Sequence, residues 1–355
     1  KEVNAVAKQA TIREVAKLAG VSIATASRAL NNPDYPVDAR LRQKVRDAAD
    51  KLQYVPNVMA QALRRDSCHD IGLVIPNVSN PFYLQTMLGI NNVLAQQSYQ
   101  MILCNTMRNA EQERSYLRQL YERQTKGIII STVDESCDVI KEYARRGMKF
   151  VLLDQLPDGV ESPGIHFDSR AGARMAAEYL ISQGHRRIAF ATMPMTRCTR
   201  IEMHKGYRDA HLMSNLPYDP ALVYESTPDP ASLSDDPELQ AGHEIASRFL
   251  HDGRKATAIM CNNDMVAIGV IQTLLKHGVR VPQDVSVMGF DDIPFASAFL
   301  PALTTIHCPA AETGRLAALM MLDMLSNNTN NAMAVSMNLA PSLVVRDSVC
   351  AITPA

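Results

Sequence analysis

The chain has 355 residues, 46% of them hydrophobic, which predicts more than one packed core. Its net charge of −1 hides an asymmetry, because residues 1–67 carry twelve Lys/Arg and seven Asp/Glu, whereas the remainder carries 24 and 30; a basic head of this kind attracts phosphate groups. The seven cysteines are scattered and lack CxxC spacing, which argues against a disulfide framework and against a zinc site. The sequence shows no signal-peptide pattern and no apolar run long enough to cross a bilayer. These features predict a soluble cytoplasmic protein.

The segment from Thr11 to Leu63 begins with the pattern of three short helices. Thr11 and Glu14 form a capping-box pair, Gly20 ends the first helix, and Ser22 can cap a second one. A third amphipathic helix follows Asp38. The predicted apolar faces of the first and third helices are Ile12, Val15, Ala16 and Ala19, and Leu41, Val45, Ala48, Ala49 and Leu52. Two short helices joined by a tight glycine turn predict a helix-turn-helix, whose second helix fits the DNA major groove.

Beyond residue 70, apolar strands alternate with amphipathic helices. The predicted strands are 71–75, 100–104, 127–131, 149–153, 187–191, 257–261, 285–288 and 303–307. The predicted helices lie near 83–97, 110–123, 136–146, 169–183, 201–213, 239–251, 264–277 and 310–325. Such alternation predicts parallel sheets with helices on both faces.

The length of this region predicts two doubly wound parallel-sheet lobes behind the all-α head, since about 280 residues exceed one sheet. Ligands of such sheets bind beyond the carboxyl ends of the strands, here in the cleft between the lobes. The break is expected near 160–167, where PDGVESPG interrupts the pattern. The expected boundaries are 1–55 for the head, 56–68 for a hinge helix and linker, 69–348 for the core and 349–355 for a tail. Within the core, we assign 69–164 and 295–326 to the first lobe, and 165–294 and 327–348 to the second.

Four separated stretches resemble the lactose-repressor (LacI/GalR) family of bacterial transcription regulators. They are VAKLAGVSIATASRALNN in the head, YVPNVMAQALR at the hinge, IGLVIPNVSNPFY at the start of the core, and the run from CNNDMVAIGV to FLPALTTI. The resemblance covers nearly the whole chain. It implies a homodimeric repressor that binds a double-stranded DNA operator, is controlled by a small-molecule effector, and has a core resembling periplasmic sugar-binding proteins.

The second helix of the head is the expected DNA-reading element. Ile23, Ala24 and Arg28 share one face with Ser27. The resemblance places base contacts at Ile23, Ala24 and Arg28, where apolar groups can meet thymine methyls and a guanidinium can donate two hydrogen bonds to guanine. Hydroxyl side chains nearby suit phosphates. The predicted DNA-binding set is Thr11, Ser22, Ile23, Ala24, Thr25, Ser27, Arg28, Asn57, Ala60, Gln61 and Leu63. The alternative is that Ile23 and Ala24 only pack and that Arg28 is a solvated charge.

The hinge carries the second DNA prediction. In the family, hinge helices pair across the dimer in the minor groove, and the resemblance makes Leu63 the side chain that wedges into the central base step. Asn57, Ala60 and Gln61 match neighbouring hinge positions. The alternative is a linker helix with one exposed leucine. Two heads on a two-fold dimer predict a pseudo-palindromic operator.

Polar residues that follow the predicted strands form the expected effector site. The predicted set is Asn80, Phe82, Tyr83, Asp154, Arg197, Thr199, Asn263 and Asp291. Asp264 is interpreted as a helix cap. The chain departs from the family pattern at Met203, where an arginine is usual, and it contains no tryptophan for stacking a sugar. Arg197 or Arg200 could replace that arginine and Phe82 the stacking face. A sugar or sugar derivative is the expected effector, with a nucleoside or another small polar metabolite as alternatives.

The sequence also bears on three other classes of function. An enzyme lacks support, because GxGxxG, GxxxxGK[ST], GxSxG and HExxH are absent, so no catalytic residue, cofactor or metal is predicted. His166 and Asp168 are better explained by a turn that enters a helix than by a metal. A sugar-binding transport protein would need a signal peptide for secretion, and a DNA-binding head would serve no purpose in it. A regulator that answers to a protein partner in place of a small ligand remains the alternative function.

Overall fold

The computed structural model describes residues 10–31, 36–54, 69–154, 159–160, 162–227, 236–253, 255–326 and 336–352. The chain divides into two compact units, residues 1–68 and 69–355. In these described ranges, no helix combines the length and apolar character needed to cross a membrane.

The head contains the three predicted helices, α1 (Ile12–Ala19), α2 (Ile23–Asn31) and α3 (Ala39–Lys51). The capping box of α1 is complete, because the Glu14 amide donates to the Thr11 hydroxyl at 3.4 Å and the Thr11 amide donates to the Glu14 carboxylate at 2.7 Å. Gly20 ends α1 with a φ of +65°, a conformation that glycine adopts without steric cost. Ser22 caps α2 by accepting a hydrogen bond from the Thr25 amide at 3.0 Å. The predicted helix-turn-helix is therefore confirmed.

A small apolar core holds these helices together. Its buried members are Val15, Ala16, Ala19, Ala26, Ala29, Val45, Ala48 and Ala49. All of these side chains are small, so α2 can approach α1 and α3 closely while its opposite face stays exposed.

The second unit contains the predicted alternation of strands and helices. Its strands are β1 (Asp70–Ile75), β2 (Gln100–Asn105), β3 (Gly127–Ile130), β4 (Lys149–Leu153), β5 (Gly164–Phe167), β6 (Ile188–Thr192), β7 (Val223–Glu225), β8 (Ala258–Cys261), β9 (Ser286–Met288), β10 (Thr305–His307), β11 (Ser336–Leu339) and β12 (Ser342–Val344). Its α-helices are α4 (Pro81–Gln96), α5 (Ala110–Glu122), α6 (Asp138–Arg145), α7 (Ser169–Ser182), α8 (Cys198–Met213), α9 (Pro237–His251), α10 (Asp264–Lys276) and α11 (Ala310–Ser326).

These strands form two parallel sheets. The first lobe has the order β11-β5-β4-β3-β1-β2, and the second has the order β7-β6-β8-β9. A two-stranded antiparallel ribbon of β10 and β12 runs beside the end of β9, where the Gly289 and Asp291 amides donate to the carbonyls of Thr304 and Ile306. The predicted pair of doubly wound lobes is thus present, and their carboxyl strand ends border one cleft.

The structure corrects the lobe assignment of three segments. β5 and β11 pair with each other in the first-lobe sheet, although residues 165–294 and 327–348 were assigned to the second lobe. Conversely, Ala296 and Leu303 belong to the apolar core of the second lobe, although 295–326 was assigned to the first. The short strands β5, β7, β11 and β12 were not predicted, because three or four residues of mixed polarity give no clear period of two.

Close packing of α7 against α8 fixes the side of the cleft that carries Arg197 and Arg200. A methyl group at Gly206 of α8 would lie 2.1 Å from the Arg170 carbonyl oxygen of α7, so only glycine permits this approach. Tyr207, the next residue, is fully buried and donates to the Ile188 carbonyl at 2.7 Å. The start of α8 is therefore held rigidly at the cleft.

Candidate functional site

The cleft between the lobes brings together all eight residues of the predicted effector site. The lining also includes residues that the sequence-based set lacked, namely Arg108, Phe167, Ser169, Arg200, Met203, Asn262, Phe290 and Cys308. The cleft is narrow in this arrangement of the lobes, with about 90 Å³ of space inside it, and it opens to solvent.

Three charged residues of the lining have unusual backbone conformations. Arg108, Asp154 and Asp291 have φ values of +59°, +65° and +119°, respectively. They follow the carboxyl ends of β2, β4 and β9. Side chains other than glycine rarely adopt such angles, and this strain is typically retained where it aims a functional group. The strand ends therefore direct these charges into the cleft.

Arg197 connects the two lobes. Its guanidinium, at the start of α8, donates to the Tyr83 hydroxyl at 3.1 Å and to the Ser131 hydroxyl at 3.0 Å. Asp154 accepts hydrogen bonds from Ser131 at 2.7 Å and from Tyr83 at 3.2 Å, and it lies 3.8 Å from Arg197. Burial raises the pKa of Tyr83, so its hydroxyl stays protonated. This cluster closes one side of the cleft with groups from both lobes.

Glu238 makes a second connection between the lobes. It lies on α9, is fully buried, and pairs with Arg108 while accepting hydrogen bonds from Asn77 at 2.8 Å and Asn80 at 3.3 Å. Burial alone would raise the pKa of Glu238, but Arg108 outweighs it and the pKa is lowered. Neither Glu238 nor Arg108 was predicted, because nothing in the local sequence shows that distant segments meet there.

The structure corrects the interpretation of Asp264. The cap of α10 is Asn263, whose side-chain oxygen accepts from the Val266 amide at 2.8 Å. Asp264 is fully buried and accepts from the Thr305 hydroxyl at 2.6 Å and from the Ile293 amide at 2.8 Å. Burial raises the pKa of Asp264 to about 7. Its role is to hold the turn that presents Asp291 to the cleft.

The adjacent carboxylates of Asp291 and Asp292 have different environments. Asp292 turns away from the cleft and pairs with His307 at 2.9 Å and with Arg346 at 2.6 Å. Asp291 lines the cleft, and within the described ranges its carboxylate accepts no hydrogen bond from the protein. Burial raises the pKa of Asp291 well above its ordinary value, and the nearby acids Asp264 and Asp154 add to this. Asp291 is therefore available to a hydrogen-bond donor on a ligand.

Three phenylalanines supply apolar surface in the cleft. Phe82 and Phe167 meet edge to face with ring centroids 5.9 Å apart, and Phe290 lines the same space. They offer faces against which a ring could pack in a chain without tryptophan. Phe167 was missed because β5 was not recognised, whereas Phe290 directly precedes Asp291 and could have been found from the strand-end rule.

The exposed face of α2 carries the predicted base-reading residues. Ala24 and Arg28 are exposed, and Ile23 keeps 42% of its surface exposed even though it is a large apolar residue. The hydroxyls of Ser22 and Thr25 lie 2.8 Å apart and hydrogen-bond to each other. The contacts of these residues, and of Thr11 and Ser27, with DNA stay predictions. The predicted hinge residues Asn57, Ala60, Gln61 and Leu63 lie outside the described residues.

In the described ranges, no group of three or more His, Cys, Asp or Glu side chains could hold a metal ion. Asp168 caps α7 by accepting from the Ala171 amide at 2.8 Å, which accounts for this residue as a turn into the helix. The cleft is thus a polar and aromatic binding site between two lobes.

Comparison with known proteins identifies the two units. Residues 11–57 match the model of bacterial regulatory proteins of the lacI family, and residues 68–339 match that of periplasmic binding proteins and the sugar binding domain of the LacI family. The chain belongs to the LacI family. The resemblance of the four sequence stretches is therefore confirmed, and the protein is a DNA-binding transcription regulator with the ligand-binding core of that family.

Relatives of this LacI-family protein match over nearly their whole length. The HTH-type transcriptional repressor PurR of Aliivibrio fischeri is 31% identical over 341 residues, which span 96% of this chain and 98% of the relative. The Lac repressor dimer bound to operator and the anti-inducer ONPF superposes with a TM-score of 0.79 at 26% identity, covering 97% of this chain and all of that one. The CelR–cellobiose complex has a TM-score of 0.70 at 27% identity, covering 96% of this chain and all of that one.

Proposed function

We propose that the protein is a repressor that binds a pseudo-palindromic operator as a homodimer and is controlled by a small polar effector, most simply a sugar or sugar derivative. The cleft carries this proposal, since it gathers all eight residues expected from the sequence at strand ends of two lobes. Related regulators with cellobiose and with ribose share its fold. We also propose that it acts in the cytoplasm, where operator DNA is found, and that it has no catalytic role; its relatives, which are transcription regulators, support both proposals.

A homodimer is supported by an exposed apolar surface on the first lobe. β2 lies at the edge of its sheet, and neighbouring α4 packs against it. The exposed members are Leu84 and Leu88 on α4, and Leu103 and Met107 at β2 and just beyond it. An apolar sheet edge open to water favours self-association, and the Lac repressor dimer supports a second copy as its occupant. A two-fold dimer presents two reading helices to two half-sites.

Control is proposed to work by linkage between the cleft and the DNA-binding heads. A ligand that binds one arrangement of the lobes more tightly shifts the population toward it, with a coupling of commonly ~1–3 kcal/mol. The two interlobe connections, at Arg197 and at Glu238, are the contacts that such a shift would strengthen or break. An inducer and a corepressor would use the same cleft.

The direct test is selection of bound fragments from source-genome DNA with the purified full chain, with and without a metabolite mixture. An enriched palindrome is the expected result, and the genes beside it would nominate the effector. Failure to enrich any site under both conditions would contradict the proposal.

Replacement of Leu63 by alanine tests the hinge prediction. We expect operator affinity to fall on the order of 10-fold while fold and dimer are kept, because the wedge that stabilises a kinked base step is lost. Fluorescence anisotropy with labelled operator measures this loss. The control is Leu212→Ala, which truncates a leucine that is 76% exposed on the core. Unchanged affinity of Leu63→Ala would exclude the wedge.

Asp291→Asn tests the effector cleft. We expect ligand-free DNA binding to persist and the effector response to fall at least ~10-fold, since an NH₂ group replaces one of the two carboxyl oxygens available to ligand donors. DNA affinity measured across an effector titration reports both quantities. Asp292→Asn is the neighbour control, because that carboxylate faces Arg346 and His307; it should reduce stability and leave effector affinity unchanged. Equal losses of DNA binding and effector response in Asp291→Asn would indicate a structural role.

A further inference from the structure

We infer that the effector carries an anionic group, a phosphate or a carboxylate, which is bound by Arg108, Arg197 and Arg200. This inference rests on the proposed function of the cleft as the effector site. It narrows the effector from any small polar metabolite to a polar molecule with one charged end.

Arg200 forms no ion pair with a carboxylate among the described residues. It is 7% exposed, and its guanidinium donates to the Pro194 carbonyl at 2.7 Å and contacts the Met193 sulfur at 3.9 Å. Burial, together with the nearby charges of Arg108 and Arg197, lowers the pKa of Arg200 to about 9, so it remains protonated at neutral pH. A buried charge of this kind is unfavourable until an opposite charge reaches it.

The two neighbouring arginines retain donors that the described part of the protein does not use. The Nε atoms of Arg108 and Arg197 are both buried and have no hydrogen-bond partner among the described residues. An unsatisfied buried donor costs free energy, whereas an arginine fork matches the paired oxygens of a carboxylate or phosphate. Both side chains line the cleft with Arg200.

The loop that carries Arg108 is strained. Met107 and Arg108 have consecutive left-handed backbones with φ of +51° and +59°. Pairing with Glu238 accounts for one guanidinium nitrogen of Arg108, but not for its unpaired Nε. The strained loop therefore holds the Nε–H group of Arg108 where an acceptor inside the cleft can receive its hydrogen bond.

The part of the cleft around Asp291 requires a ligand group that is not anionic. Burial and the nearby carboxyl groups of Asp264, Asp154 and Glu238 raise the pKa of Asp291, so negative charge is disfavoured at this end of the cleft. An anionic group of the ligand would be unfavourable beside Asp291, whereas a hydroxyl or amine group can donate to its carboxyl oxygens. The effector is thus a molecule with donors at one end and an anionic group at the arginines.

The test uses sodium phosphate and sodium acetate as probes on the full chain, with sodium chloride at matched ionic strength as reference. Thermal unfolding is followed at rising anion concentration. We expect a saturable rise of the midpoint for the wild type and for Arg208→Gln, which removes an exposed arginine of the same helix. Arg200→Gln should lose the saturable part and keep only the gradual stabilisation that such salts give any protein. If Arg200→Gln does not fold, Arg200→Lys keeps the charge without the fork and should weaken the response.

Saturation by phosphate alone would assign a phosphate-bearing effector, and saturation by acetate as well would assign a site that accepts a carboxylate. No saturable response in the wild type, or equal responses in wild type and the Arg200 variant, would overturn the inference. DNA selection in chloride buffer, with and without the metabolite mixture, separates this inference from the proposed function. Specific DNA binding without an anion response contradicts the anionic effector alone, and an anion response without specific DNA binding under either condition contradicts the proposed function alone.

Discussion

Replacing Asp264 with asparagine is expected to remove a loss of stability that the wild type undergoes as the pH rises from about 4 to above 7. The pKa of this buried carboxyl is raised from 3.8 to about 7 in the folded state, chiefly by burial. The folded state therefore holds a proton that the unfolded state releases, and the resulting stability is present below pH 3.8 and lost as the pH passes about 7. At ~1.4 kcal/mol per pH unit, the change is on the order of 4 kcal/mol.

Asparagine suits this site because it resembles the neutral acid. Its oxygen can accept from the Ile293 amide and its NH₂ group can donate to the Thr305 hydroxyl, the two groups that Asp264 contacts. Urea unfolding of wild type and variant at a series of pH values gives the difference in free energy of unfolding. Half-buried His166 and buried His185, whose pKa values are lowered by burial, affect the stability of both proteins equally and cancel in that difference.

Asp134→Asn provides a control of opposite sign. A hydrogen bond from Arg114 lowers the pKa of Asp134, so its contribution to stability is present above pH 3.8 and lost as the pH falls through the lower folded value. As the pH rises, the free energy of unfolding of the wild type should therefore increase relative to that of Asp134→Asn and decrease relative to that of Asp264→Asn. If the difference in free energy of unfolding between wild type and Asp264→Asn did not depend on pH, the conclusion that Asp264 is buried as a neutral acid would be wrong.

The second large effect is expected at Arg28. Arg28→Ala should lower operator affinity by ~1–3 kcal/mol, roughly 5- to 150-fold, and relax the preference for one base pair in each half-site. The cause is the loss of a guanidinium that can donate two hydrogen bonds to guanine. Arg28 lies on the exposed face of α2, opposite buried Ala26 and Ala29, so its truncation should leave the core of the head intact.

Binding-site selection with variant and wild type measures the change in preference, and anisotropy measures affinity. Arg28→Lys should recover affinity without the preference, because lysine is a point charge and lacks the planar fork. Arg46→Ala removes an equal charge from an exposed position of α3 and should weaken binding to all sequences alike. An unaltered sequence preference in Arg28→Ala would assign base reading to other side chains.

Local rules were sufficient wherever one segment determines its own conformation. The capping box at Thr11, the glycine turn at Gly20 and the cap at Ser22 each involve residues within one turn, and all three were predicted. The longer strands and helices of the core were also found from hydrophobic periodicity, with ends that differ by about one to three residues. Short strands such as β7 and β12 escaped, because their pairing depends on neighbours far along the chain.

The strand-end rule located most of the cleft, but it did not assign roles within it. Asn80, Asp154 and Asp291 follow strands and do line the cleft. Asp264 was interpreted as a cap because carboxylates favour helix starts, yet Asn263 caps the helix and Asp264 turns into the core. Which of two adjacent polar residues faces inward depends on the partners that the surrounding fold supplies.

By itself, the sequence determined the class of protein, the order of its units and the strand ends at which a ligand would bind, because periodicity, caps and motifs are properties of contiguous residues. Only the tertiary structure decided which charges meet. Arg108 reaches Glu238 across 130 residues, and Arg197 reaches Tyr83 across 114. Burial then sets the state of each group, leaving Arg200 charged and Asp264 largely protonated below pH 7. These properties arise from desolvation and from contacts between distant segments, neither of which exists before the lobes come together.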